Sequence, residues 1–115
     1  MKTIIFSTVL AFAGLFHSAT AASTHYETTT FKVSGNCEMC KNRIESALKK
    51  NAGVQSANWD VKTKTVTVVY NPHTVSVDQL HQLVANSGHD TDKIKASDTA
   101  YNALPGCCKY DRTKK

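Results

Sequence analysis

The stretch Phe31-Lys32-Val33-Ser34-Gly35-Asn36-Cys37-Glu38-Met39-Cys40-Lys41-Asn42-Arg43-Ile44-Glu45-Ser46-Ala47-Leu48 changes its period midway. Up to Val33, the residues Thr29, Phe31 and Val33 recur at every second position among β-formers, which predicts a first strand over 27–33. Gly35-Asn36 breaks that pattern. Cys40, Ile44, Ala47 and Leu48 then share one face at helical spacing, and Lys49, Lys50 and Gly53 mark a stop, so a helix is expected from about Glu38 to Asn51. A strand thus feeds a helix through a short loop, with one thiol on the loop and a second in the first turn.

Working outward, Val54 to Asp60 and Thr65 to Tyr70 are β-rich stretches around Val61-Lys62-Thr63-Lys64, and Val66, Val68 and Tyr70 alternate, which predicts an antiparallel hairpin. Asn71-Pro72 ends it. Ser76 followed three residues later by Gln79 has the form of a capping box ahead of Val77, Leu80, Leu83 and Val84, so a second helix is expected to run to Ser87-Gly88. His89 to Ala96 reads as a short fourth strand carrying Ile94 inward. This order predicts an α+β fold, a split βαβ sandwich with both helices on one face of a four-stranded antiparallel sheet. Trp59 and Tyr70 are expected to pack on that sheet. Ser97-Asp98 can cap a short helix through Leu104, with Tyr101 and Leu104 docking it. Pro105-Gly106 stops it before Cys107-Cys108, and the tail over 109–115 is expected to be mobile.

At the other end, Met1-Lys2, the apolar run from Ile4 to Phe16 and Ala19-Thr20-Ala21 form a secretory signal over 1–22, the apolar run being short of the roughly 20 residues that span a bilayer. A disordered leader over 23–26 then precedes the domain over 27–96 and a C-terminal extension over 97–115. Cleavage would leave no stable membrane insertion, and a periplasmic or secreted location is expected. Loss of Lys2 takes the formal charge from +5 to +4. Lysines spread among acidic residues with few aromatics do not make a nucleic-acid surface. No nucleophile with its base, no phosphate loop and no paired carboxylates point to catalysis, so a non-enzyme is expected.

Chemistry concentrates in the cysteines. Cys37 on the loop and Cys40 in the first helical turn bring two sulfurs to one side of a helix N-terminus, where the dipole and free amides favour thiolate. Two soft thiolates suit a low-coordinate soft ion better than the four-ligand shell of structural zinc.

The phrase from Phe31 to Leu48 resembles the heavy-metal-associated domain family. Gly53-Val54, Val66-Thr67-Val68 and Ser87-Gly88-His89-Asp90 look like that family's further landmarks, so the resemblance covers roughly Phe31 to Ile94. It implies a ferredoxin-like βαββαβ fold that captures soft or borderline metal ions and passes them to partners, as copper chaperones and periplasmic mercury-binding proteins do. Cys37 and Cys40 match the two ligand positions. Cu(I) is the expected ion, with Hg(II) or Zn(II) as alternatives, and a membrane metal transporter or another metal-binding domain as partner. The family usually places Met two residues before the first Cys, where this chain has Gly35. His89 stands where the family often carries an aromatic or a lysine, and its imidazole can add a third ligand or only shape the loop.

The extension lies beyond the resemblance. A short helix could carry the chain back until Cys107 and Cys108 turn toward the first pair, giving three or four thiolates. A disulfide involving the second pair, a thiol–disulfide exchanger and a disulfide-stapled interaction module without metal are the rival readings. Met39 is expected to point outward or against a neighbour. Lys41 and Arg43 read as helix-surface charge, and His25, His73 and His81 as histidines of leader, loop and helix surface that need no site.

Overall fold

The computed structural model describes residues 25–113, and the expected signal over 1–22 and the start of the leader lie outside the described residues. Strand β1 (Glu27–Lys32) is followed by helix α1 (Glu38–Lys49), strands β2 (Val54–Asp60) and β3 (Thr65–Tyr70), helix α2 (Val77–Asn86), helix α3 (Asp98–Asn102) and a 3-10 turn at Gly106–Cys108. The sheet has order β1-β3-β2 and is antiparallel throughout.

Its register aligns the apolar positions across the strands. Val66 faces Phe31 on one side and Trp59 on the other, and Val68 likewise lies between Thr29 and Ala57. Because side chains alternate across a sheet, this register turns one apolar face toward the helices. Ile44 and Leu48 of α1 and Leu80 and Val84 of α2 join Phe31, Trp59, Val66 and Val68 in a single core. Burying one such side chain contributes roughly 1.5–3 kcal/mol. The β2–β3 link closes on the Asp60 carboxylate, which accepts from the Lys62 and Thr63 amides, while Lys64 takes a left-handed φ of 58°. Ser76 and Gln79 form the expected capping box.

The fourth strand is reduced to one bridge, Val33 to Thr91. Side chains of this segment compete for the backbone groups that a strand needs. The Thr91 hydroxyl accepts from the Lys93 and Ile94 amides, and Asp90 Oδ1 accepts from the Ala96 amide, so the chain turns back after its first paired residue. Ala96, not Ile94, is the buried apolar residue of this segment.

Two other expectations are corrected. His81 is not on the helix surface: it is buried, stacks on Phe31 at 3.9 Å between centroids and bonds Thr91 Oγ1 through Nδ1 at 2.7 Å. The tail is held as far as residue 113. Tyr110 is buried, its hydroxyl accepts from the Asp90 amide and donates to Gly88 O, and Arg112 reaches Asp90, Asp98 and Ala96 O. Gly88 lets the α3 segment pack closely on the turn after α2. It has φ +104°, and a Cβ there would lie 2.8 Å from Ala100 O and 2.9 Å from Leu104.

Candidate metal site

The loop between β1 and α1 leaves the sheet at Val33 and is fixed at its start by two backbone bonds. Val33 N–H donates to Lys64 O, and Ser34 N–H donates to Asp90 O. Cys37 then occupies the N-cap position of α1 with extended backbone and no side-chain cap, so its sulfur lies beside the free amides of the first turn. Cys40 is fully buried one turn in, and its sulfur accepts from the Asn36 amide at 3.3 Å. The two sulfurs are 3.9 Å apart.

From the other side of the loop, the 3-10 turn delivers Cys108, also fully buried. The sulfurs of Cys37, Cys40 and Cys108 all lie within 4.8 Å of one another. A metal–thiolate bond of about 2.3 Å puts sulfurs about 4.0 Å apart in a trigonal site and about 4.6 Å apart in a linear one. The Cys37–Cys40 separation therefore suits a three-sulfur arrangement. All four cysteines are free thiols in this structure.

The thiols differ in acidity. The Cys40 backbone amide, then that of Met39, hold the Cys37 thiol below its ordinary pKa against a small opposing effect of burial, and the Cys40 and Cys107 thiols add to the lowering. Burial pushes the Cys108 thiol up to about 12, reinforced by the neighbouring Cys40 and Cys107 thiols. The site thus pairs a half-buried thiol of lowered pKa with a fully buried thiol of raised pKa.

Cys107 and His89 are not in this three-sulfur group. Cys107 is exposed, and its thiol lies 3.3 Å from Met39 Sδ. Met39 does point outward, and is one of two exposed large hydrophobic residues among the described residues. His89 is fully buried with Nδ1 donating to Ser34 O at 2.7 Å, which ties the segment after α2 to the loop, and Nε2 has no hydrogen-bond partner among the described residues. Burial drives its pKa down. Lys41 is not a free surface charge, since it bonds Glu45, Asn58 Oδ1 and Trp59 O.

Gly35 has a structural cause. The Trp59 indole, whose N–H donates to Val33 O, fills the space beneath the loop, and a Cβ on Gly35 would lie 3.0 Å from Trp59 Cζ2 and 3.1 Å from Cys40 Cβ. Sequence reasoning noted the missing methionine without seeing that the tryptophan stands in its place. It also missed Tyr110 and Arg112, whose only signal was an aromatic residue inside a basic tail.

Residues 30–90 match the heavy-metal-associated domain family. The chain is 40% identical over 55 residues to the copper chaperone CopZ of Staphylococcus haemolyticus, covering 48% of this chain and 81% of that one. It is 37% identical over 70 residues to a copper-exporting P-type ATPase of Staphylococcus saprophyticus, covering 60% of this chain but only 9% of the ATPase. Among solved structures, the N-terminal domain of a potential copper-translocating P-type ATPase from Bacillus subtilis in the Cu(I)-loaded state superposes with TM-score 0.55 at 38% identity, covering 58% of this chain and 85% of that one.

Proposed function

Because the chain belongs to the heavy-metal-associated domain family, we propose that it captures Cu(I) outside the cytoplasm and retains it on the thiolates of Cys37, Cys40 and Cys108. It is a metal-binding domain with a cysteine cluster, not an enzyme. The observation that carries the reading is the convergence of three sulfurs within 4.8 Å at the start of α1. Soft thiolates select Cu(I), and three of them around one ion hold it more firmly than two. Hg(II) shares that softness. Zn(II), which fills four positions, needs a ligand beyond these three sulfurs.

The third thiol separates this reading from a simple two-thiol carrier. Cys108 arrives from an extension that lies outside the matched residues 30–90 and is fastened by Tyr110 and Arg112. The ion is therefore held by two parts of the chain at once, which favours a scavenger or slow donor. Transfer proceeds by exchange of one sulfur ligand for another, and a membrane metal transporter or a further metal-binding domain is the recipient. The likeness to domains of copper ATPases supports that partner. The secretory pattern over 1–22 supports export.

Anaerobic titration of the reduced protein with Cu(I) against a competing chelator tests the capture. Cys37→Ser and Cys40→Ser are expected to lose binding by several orders of magnitude, and uptake unchanged in both would overturn the reading. Export is tested by N-terminal sequencing of protein from the periplasmic fraction, which should begin after Ala21 or Ala22. An intact Met1 confined to the cytoplasm would overturn it.

A further inference from the structure

The capture reading accounts for three sulfurs, and two more lie beside them. Cys107 and Met39 come from different parts of the chain, the 3-10 turn and the first turn of α1, yet their sulfurs are 3.3 Å apart. Cys107 is also anchored on the metal loop through its backbone. Its carbonyl accepts from the Cys37 thiol at 3.7 Å and from Asn36 Nδ2 at 3.4 Å. The Cys107 thiol is close enough to interact with the thiols of both Cys37 and Cys108. Two sulfur groups therefore lie side by side, the inner one of Cys37, Cys40 and Cys108 and an exposed one of Cys107 and Met39, joined where the Cys37 thiol meets the Cys107 carbonyl.

We propose that Cys107 and Met39 form a second, outer subsite for a soft monovalent ion, so that one chain takes two Cu(I) ions. This inference rests on the capture reading and adds to it. Thiolate with thioether is a donor set that selects Cu(I) over harder ions, because a neutral thioether offers little to Zn(II) or to any oxygen-seeking cation. Met39 is 47% exposed instead of packed in the core, with its sulfur directed at a thiol. Its three rotatable bonds allow the pair to open from 3.3 Å to the roughly 4 Å that two sulfurs need around one ion. Cys37, which touches the Cys107 backbone, is positioned to bridge the two ions.

The chemistry is ligand substitution. Cu(I) leaves a ligand of its incoming carrier, the Cys107 S–H bond breaks, its proton passes to water, a Cu–S bond forms, and Met39 donates a lone pair. No electron is transferred. Because the outer ion faces solvent and the inner one does not, the outer subsite is the one that loads and exchanges first, while the inner site retains.

Native mass spectrometry of the full reduced chain, titrated anaerobically with Cu(I), reads the number of ions on the monomer. Two ions are expected on the unaltered protein, and one on Cys107→Ser and on Met39→Leu, with the affinity for that remaining ion within about threefold of the unaltered inner site. Both residues are exposed, so thermal melting of the apo variants should match the parent. A parent that stops at one ion, or variants that still take two, overturns the outer subsite and leaves the capture reading intact. A parent that binds no Cu(I) overturns both.

Discussion

Arg112 clasps Asp90 with both ends of its guanidinium edge, Nη2 to Oδ1 at 3.0 Å and Nε to Oδ2 at 3.2 Å, in a bidentate pair largely shielded from solvent. Burial alone would raise the Asp90 pKa, but the Arg112 hydrogen bonds and the Ala96 amide outweigh it and hold the carboxyl below its ordinary value. A carboxylate whose folded pKa is depressed stabilises the fold above its unfolded pKa, near 4, and loses that contribution as pH falls through the folded value. Arg112 lies four residues beyond Cys108 in sequence, so its hold on Asp90 fastens the segment that brings the third thiol. Arg112→Ala should cost about 1.5–3 kcal/mol, the usual value for charge-assisted hydrogen bonds, and lower Cu(I) affinity about tenfold. In a Cys108→Ser background the same substitution should leave affinity unchanged, because nothing remains for the tail to deliver. Chelator competition on all four proteins of the cycle measures this, and equal losses in both backgrounds would show that the tail does not act through Cys108.

Tyr110 fastens the same segment differently. Its buried hydroxyl accepts from the Asp90 amide at 2.8 Å and donates to Gly88 O at 2.9 Å, while Tyr101 Oη donates to Tyr110 O at 2.6 Å. Tyr110→Phe keeps the ring against His89 and Tyr101 but strands a buried amide and carbonyl. The expected loss is about 1–3 kcal/mol, read as a lower urea midpoint with an unchanged slope. A midpoint equal to that of the parent would mean that water reaches these groups and that the hydroxyl is dispensable.

What could be read from the sequence was local. Phe31 and Val33 in the strand, Cys40, Ile44 and Leu48 along the helix, and the Ser76–Gln79 box each announce themselves within a few residues, and the structure places them as expected. The thiol spacing likewise put Cys37 and Cys40 together. What failed depended on partners distant in sequence or on side chains overriding pattern. The fourth strand had suitable residues, but Asp90 and Thr91 spend their side-chain oxygens on nearby amides and bend it. His81 counts as polar on a helical wheel, while its imidazole face is apolar enough to stack on Phe31. Arg112 and Tyr110 belong to a basic tail until Asp90, some twenty positions earlier, is folded beside them.

Gly35 illustrates a compensation that invites a double substitution. A Cβ there meets Trp59 Cζ2 at 3.0 Å and Trp59 Cη2 at 3.1 Å, so the glycine and the tryptophan divide one space. Gly35→Met should overpack the loop and destabilise by about 1–3 kcal/mol, whereas Trp59→Val should leave a void and cost about 3–5 kcal/mol. Combining them puts a methionine side chain where the indole was. The pair should recover at least about 1 kcal/mol relative to the sum of the single losses, a coupling expected only of residues in contact. Denaturant midpoints for the four proteins give the coupling, and strict additivity would refute the shared space.

The raised pKa of Cys108 gives the third thiolate a signature of its own. With its pKa pushed up to about 12, principally by burial, Cys108 keeps its proton in the metal-free protein throughout the working range. Binding a metal at that sulfur must expel the proton, so each unit of pH should add about one further decade to the affinity through this residue. The pH dependence of the rest of the site is common to the unaltered protein and Cys108→Ser. Between pH 7 and 9, a plot of log affinity for the more tightly held Cu(I) against pH should therefore be steeper in the parent by a slope of about one. The two curves should converge toward acid, where displacing the Cys108 proton becomes costly, and separate toward alkali. Parallel curves would mean that Cys108 stays a buried thiol beside the ion, and the site would be the Cys37–Cys40 pair alone.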